Sequence, residues 1–206
     1  MKINTDKTKD MIIDFSKTAS NIEPILMNDS KLEQVSHTKL LGVIINDSLT
    51  WNDHVEYICC KAAKRLYFLR LLKRANISPF DIVHVFCSII RSLLEYACEV
   101  WHPSLTLQQS HKIELIQKRA LKIAFPNIPY EKTLLECKIE TLSSRREDRC
   151  KQFFKSICNP NHKLHNLLPQ KINLSHLRTN RQYQIPRVKT NRMKNSPIFY
   201  GVFKFQ

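Results

Sequence analysis

The chain has 206 residues, with 33 Lys or Arg against 18 Asp or Glu, for a formal charge of +15. Its 43% apolar content suffices for a substantial core and excludes wholesale disorder. Two glycines in the whole chain exclude the Gly-rich loops of nucleotide, dinucleotide and most methyl-donor sites, and a Gly-x-Ser-x-Gly nucleophile elbow.

Residues 9–15, KDMIIDF, form a short β-prone run and read as a strand. Residues 21–36 read as irregular or hairpin-like, around Pro24 and an Asn28-Asp29-Ser30 turn. Residues 39–45 read as a second strand, well buried because Val43, Ile44 and Ile45 are continuous rather than alternating. A long helix is expected to start near Asn52-Asp53, residue types that cap helices. Its apolar stripe runs Val55, Ile58, Cys59, Ala62, Leu66, Leu69 and Leu72. Lys61, Lys64, Arg65, Arg70, Lys73 and Arg74 lie mostly off that stripe, and Asn76 ends the helix.

Ser78 caps the next helix, with Pro79 at its first position. Residues 79–100 are expected to form one central helix, apolar on a wide arc that includes Ile82, Phe86, Ile90 and Val100. Arg91, Glu95 and Glu99 are spaced four apart within it, which suits an ion pair on one face. A third helix covers about 106–124, with Ile113, Ile116, Ala120 and Ala124 on one side and Lys112, Lys118, Arg119 and Lys122 as its charges. Two more helices follow, over 130–137 and 141–158. From Asn159 to Gln206 there are nine Lys and Arg, no acidic residue, and four interrupting prolines. That stretch reads as a basic, loosely folded tail, with Pro197 to Phe205 docking through Phe199, Tyr200 and Phe203.

The expected fold is therefore mostly α with a small β element at the N-terminus. Residues 1–47 hold the strands and hairpin, 48–158 a helical bundle, and 159–206 a basic, partly irregular tail.

No catalytic constellation accompanies these elements. Glu147-Asp148 lies inside the basic run Arg145 to Arg149, and Asp47 and Asp53 flank a turn, so neither pair resembles a two-metal cradle. There is no His-x-Asp pair, and His54-Val55-Glu56 falls at a helix start, where it reads as surface. Cys150, Cys158, His162 and His165 are spaced x7, x3 and x2, whereas a structural zinc site opens with a closely spaced cysteine pair. The seven cysteines, odd in number and mostly in helical patterns, read as reduced intracellular thiols that pack as small apolar groups. No run of about 18 apolar residues offers a membrane span, and MKINTDKTKD lacks the apolar core of a signal peptide. The expectation is an intracellular protein, nuclear or cytoplasmic, not secreted, with no metal, cofactor, membrane or small-molecule substrate. The charge directs it instead to the backbone of RNA or DNA, with little sequence preference.

Several blocks carry a resemblance. MKINTDKTKDMIIDF (1–15), KLLGVIIND (39–47), and LTWNDHVEYICCKAAKRLYFLRLLKR through LLEYACEVWHP (49–103) resemble the C-terminal part of a non-LTR (LINE-type) retrotransposon reverse transcriptase. QKRALKIAFP (117–126) and RTNRQYQIPRVKTNRMKNS (178–196) resemble downstream parts of such reading frames. The first block is similar to the segment after the catalytic Asp-Asp, the second to the hairpin at the primer terminus, and the third to the helical thumb.

The resemblance implies that Lys7 and Lys9 lie near an incoming nucleotide and that Gly42 allows close backbone approach at a primer end. It implies that Lys61, Lys64, Arg65, Lys73 and Arg74 hold template and primer. The palm segments bearing the metal-binding aspartates of this RNA-directed DNA polymerase family have no counterpart here, so no polymerisation is expected of the chain alone.

Residues 58–95 are also similar to a short helical family named for the N-terminal region of AlkB homologue 8, a transfer-RNA-modifying methyltransferase and 2-oxoglutarate dioxygenase. Its iron and methyl-donor sites have no counterpart in this chain. An accessory RNA-binding segment of that kind, a protein-interaction module, and an expressed but functionless fragment stay open beside the first reading.

Overall fold

A computed structural model describes residue 4 and residues 7–16, 23–27, 30–172, 182–185 and 187–206. The expected turn residues Asn28 and Asp29, and residues 178–181 and 186 of the tail block, lie outside the described residues. The fold is mostly α-helical with small strands near the N-terminus. It separates into two compact units, residues 1–57 and 58–206.

In the first unit, β1 (Lys9–Asp10) pairs in parallel with β4 (Glu33–Gln34). β2 (Leu26–Met27) pairs antiparallel with β3 (Ser30–Lys31), and β5 (His37–Leu40) with β6 (Val43–Asn46). The KDMIIDF run is thus a strand over its first two residues only.

The expected strand at 39–45 is also corrected. The chain reverses at Leu41-Gly42, and the register sets Lys39 opposite Ile44 and Leu40 opposite Val43. Both corner residues have positive φ, 48° and 89°, the backbone of the tight hairpin turn whose twist matches its strands. Glycine adopts this freely, whereas Leu41 carries a Cβ penalty and remains 84% exposed. Of this run only Val43 is buried.

Asn46 then organises the approach to α1 (Asn52–Arg74). Its Oδ1 accepts the Thr50 N–H at 2.8 Å, and its Nδ2 donates to Thr50 Oγ1 at 2.8 Å and Asp53 Oδ2 at 3.0 Å. Ile44 N–H donates to His54 Nδ1 at 3.3 Å, and Lys39 Nζ donates to the Tyr57 hydroxyl at 2.8 Å. These contacts tie the hairpin to the first turns of the helix.

In the second unit, Ile58, Cys59, Ala62, Leu66 and Leu69 of α1 are buried, as the stripe requires. The helix ends at Asn76, whose φ is 56°. Asn76 N–H bonds Lys73 O and Ile77 N–H bonds Leu72 O, both at 3.1 Å, the paired closure of a left-handed helix end.

The single helix expected over 79–100 is interrupted. It becomes α2 (Pro79–Val85), a π-helical turn (Phe86–Arg91), α3 (Ser92–Glu95) and α4 (Cys98–Trp101). Pro79 sits in the first turn of α2 as expected, but the Ser78 side chain makes no capping bond. Ser88 and Ser92 donate back to the carbonyls of His84 and Ser88, at 2.9 and 2.7 Å, and such competition for helical acceptors bends helices. Ala97 at φ 49° turns the chain, and Trp101 Nε1 closes the turn on Tyr96 O at 3.0 Å.

The expected ion pairing within 91–99 is replaced by a tertiary one. Glu95, only 3% exposed, receives Arg145 Nε at 2.6 Å and Arg149 Nη2 at 3.3 Å. Both arginines come from α7 (Leu142–Ile157).

α5 (Leu107–Ala124) opens on a reciprocal capping box between Thr106 and Gln109, and buries Ile113, Ile116, Ala120 and Ala124. α6 (Tyr130–Glu136) follows. Glu114 and Gln117 of α5 form a polar knot with the two later helices. Glu114 accepts from the Tyr130 hydroxyl and from Leu142 N–H, and Gln117 Nε2 donates to Glu140 O at 2.9 Å.

After α7 the short α8 (Asn191–Lys194) precedes α9 (Pro197–Lys204). The C-terminal stretch does dock, but through different residues from those expected. Gly201 and Val202 are buried while Phe199, Tyr200 and Phe203 are only half-buried, because Gly201 lets α9 approach the Phe154 ring of α7. Phe154, Tyr183 and Val202 form that cluster.

None of the seven cysteines forms a disulfide; Cys59, Cys98 and Cys150 are buried. Burial pushes the thiols of Cys98 and Cys150 up to about 12. Among the described residues no helix is long and apolar enough to cross a membrane.

Candidate nucleic-acid interface

The candidate cations separate into several environments. Lys61 and Lys64 are exposed one turn apart on α1. Arg65 is half-buried and donates to the Ile89 carbonyl in the π-helical turn. Lys73 Nζ donates to Ala124 O at the end of α5 at 3.1 Å. A cation there meets the negative end of the α5 dipole, which is a structural role. Arg74 is exposed at the C-terminal end of α1.

Of the five helix cations, then, Lys61, Lys64 and Arg74 are exposed, while Arg65 and Lys73 each reach a carbonyl of another element. Gly42, Lys7 and Lys9 belong to the other unit. Gly42 is the second corner of the β5–β6 turn, Lys7 is exposed, and Lys9 pairs with Glu33 at 3.2 Å.

Tertiary packing adds cations that were not chosen from the sequence. A groove of about 280 Å³ lies between α1 and α5, lined by Cys59, Cys60 and Ala63 from one and Lys112, Leu115, Ile116 and Arg119 from the other. Lys112 and Arg119 are both exposed. On α1, Lys64 and Tyr67 lie one turn beyond Cys60 and Ala63 by helical spacing, and both are exposed. Lys112 and Arg119, named in the sequence only as charges of this helix, lie two turns apart on α5, and the packing of α5 beside α1 places both on one groove.

The buried polar groups of the second unit tie its elements together. Arg146 is fully buried; its Nε donates to His102 Nδ1 at 3.3 Å and its Nη2 to Ser110 Oγ at 3.2 Å. Burial and the adjacent guanidinium lower the His102 pKa to about 4. Burial and the Glu114 contact raise that of Tyr130. Leu164 N–H donates to His162 Nδ1, and His165 Nδ1 lies 2.9 Å from Ile157 O, so both rings serve the chain turn after α7. Among the described residues no three His, Cys, Asp or Glu side chains converge to hold a metal.

Residues 51–82 match the family described as "Alkylated DNA repair protein alkB homolog 8, N-terminal". The match covers α1, the turn at Asn76 and the start of α2, somewhat earlier in the chain than the 58–95 expected. No match was found among curated proteins or solved structures. Nothing in these comparisons supports the reverse-transcriptase resemblance.

Proposed function

We propose that the chain is a nucleic-acid-binding module without catalysis of its own, in which the outer faces of α1 and α5 grip a phosphodiester backbone. The observation that carries this reading is the α1–α5 groove, whose α5 wall presents Lys112 and Arg119, with the exposed Lys64 next in the chain to the groove-lining Ala63 of α1. Cations spread along a groove contact phosphates without reading bases, so little sequence preference is expected. The likeness over 51–82 supports an accessory segment of the AlkB homologue 8 N-terminal kind. Equilibrium binding of labelled RNA and DNA across a salt series tests the proposal. Affinity should fall steeply with log salt as counterions are released, and no binding at low salt would retire the reading.

One observation favours a second origin, the end of the palm and the thumb of a non-LTR reverse transcriptase. KLLGVIIND folds as a hairpin with Gly42 at its corner, followed in the chain by the basic helix. Both origins predict binding without polymerisation, so primer extension with Mg²⁺ or Mn²⁺ should stay at background. An Asp-Asp block in the reading frame upstream would favour the second origin, and an iron-binding domain downstream the first.

A further inference from the structure

Tyr67 and Phe68 are 54% and 58% exposed, although they lie well inside a 23-residue helix. Leu71, one turn on, is 39% exposed. The two rings meet edge to face with centroids 6.2 Å apart. This apolar patch is bracketed by charge, with Lys64 one turn before the rings and Arg74 one turn beyond Leu71, both exposed. By helical spacing Tyr67 lies one turn beyond Ala63 of the α1 groove wall, and Arg119 lines the wall opposite Ala63.

Resting on the backbone-binding reading, we infer that this face takes single-stranded nucleic acid, with bases stacked on Tyr67 and Phe68 and phosphates held by Lys64 and Arg119. Charge selects this occupant. A second copy carrying +15 would bring like charges together, and an apolar partner helix would bury Lys64 and Arg74 uncompensated. A single strand answers both chemistries at once, because each nucleotide offers an anionic phosphate and an exposed π face. A duplex offers the phosphates but hides the base faces within its stack. The rings therefore discriminate where the cations do not.

The test measures the full chain against a labelled single strand of about 20 nucleotides and the matching duplex, by anisotropy across a salt series. The wild type should prefer the single strand by on the order of tenfold. Y67A and F68A should each weaken the single-strand complex by on the order of tenfold, leaving duplex affinity, salt slope and thermal melting unchanged. K64A should weaken both complexes and lower the salt slope by about one.

Equal affinity for strand and duplex, unaltered in Y67A and F68A, would overturn the single-strand assignment while the backbone reading stood. No binding of either at low salt would remove both. A dimer in sedimentation that F68A dissociates, with strand binding intact, would give the face to a second copy and overturn the inference.

Discussion

Arg146 donates through Nε to Nδ1 of His102 across 3.3 Å, which requires that imidazole nitrogen to carry no proton. Burial, with the Arg146 and Lys204 charges and against Glu147, lowers the pKa to about 4 from an ordinary 6.5. The unfolded chain therefore binds this proton more readily than the folded one. His102 contributes fully above pH about 6.5, and its contribution is lost as pH falls towards 4. The shift corresponds to about 2–3 kcal/mol after allowance for partial exposure. Denaturant melts from pH 7 to 4 should show stability falling across that window. His54, also lowered to about 4, adds to the same slope. H102Q, which keeps an acceptor for Arg146, should reduce proton uptake on unfolding at pH 5 by about one. An unchanged pH slope in H102Q would contradict this account.

Glu95 is the acceptor for two arginines from α7 and is 3% exposed. E95Q would turn an amide donor towards guanidinium donors in a buried site. A loss of about 2 kcal/mol is expected in urea unfolding, within the range for a damaged charged hydrogen bond. R91A removes the partner expected from helical spacing alone and should change stability by no more than about 0.5 kcal/mol. Equal effects of the two changes would show that the tertiary pairing is unimportant.

Gly201 has no room for a side chain. A β-carbon there would overlap the Phe154 ring and lie 2.9 Å from Phe154 Cβ. G201A should cost about 1–3 kcal/mol through overpacking, exceeding the gain in helix propensity of about 1 kcal/mol. Hydrogen exchange should show α9 losing protection first. Unchanged protection of α9 would mean that the contact is not tight.

Lys64 and Lys73 lie on the same helix but should behave differently. K64A should lower the slope of log affinity against log salt by about one and leave stability nearly unchanged. K73A removes the bond to Ala124 O and should cost about 0.5–1.5 kcal/mol of stability while leaving the salt slope intact. Parallel salt titrations and melts decide between these roles, and the reverse pattern would relocate the interface.

Local chemistry made much of the fold legible. The buried stripe of α1 follows from the spacing of Ile58, Cys59, Ala62, Leu66 and Leu69, and α5 buries the face expected of it. Pro79 marks a helix start and Asn76 a helix end, because each fixes backbone conformation through its own covalent structure or local bonding. The basic character of α1 and α5 is likewise a property of composition.

Other features depended on contacts between distant residues. Leu41-Gly42 falls inside a continuous apolar run, which masks a turn that only strand pairing reveals. The break at Tyr96-Ala97 is closed by Trp101 and accompanied by the Glu95 contact with Arg145, 50 residues away. Helical periodicity carries no information about such a partner. For the same reason the sequence could identify which residues are cationic but not which are available. Arg65 and Lys73 matched Lys64 by type and helix, yet each is held by a carbonyl from another element. By itself the sequence determined helix faces, helix ends and charge, because these rest on local geometry and composition. Tertiary structure decided which charges face solvent and where the groove lies, because both follow from how non-adjacent helices pack.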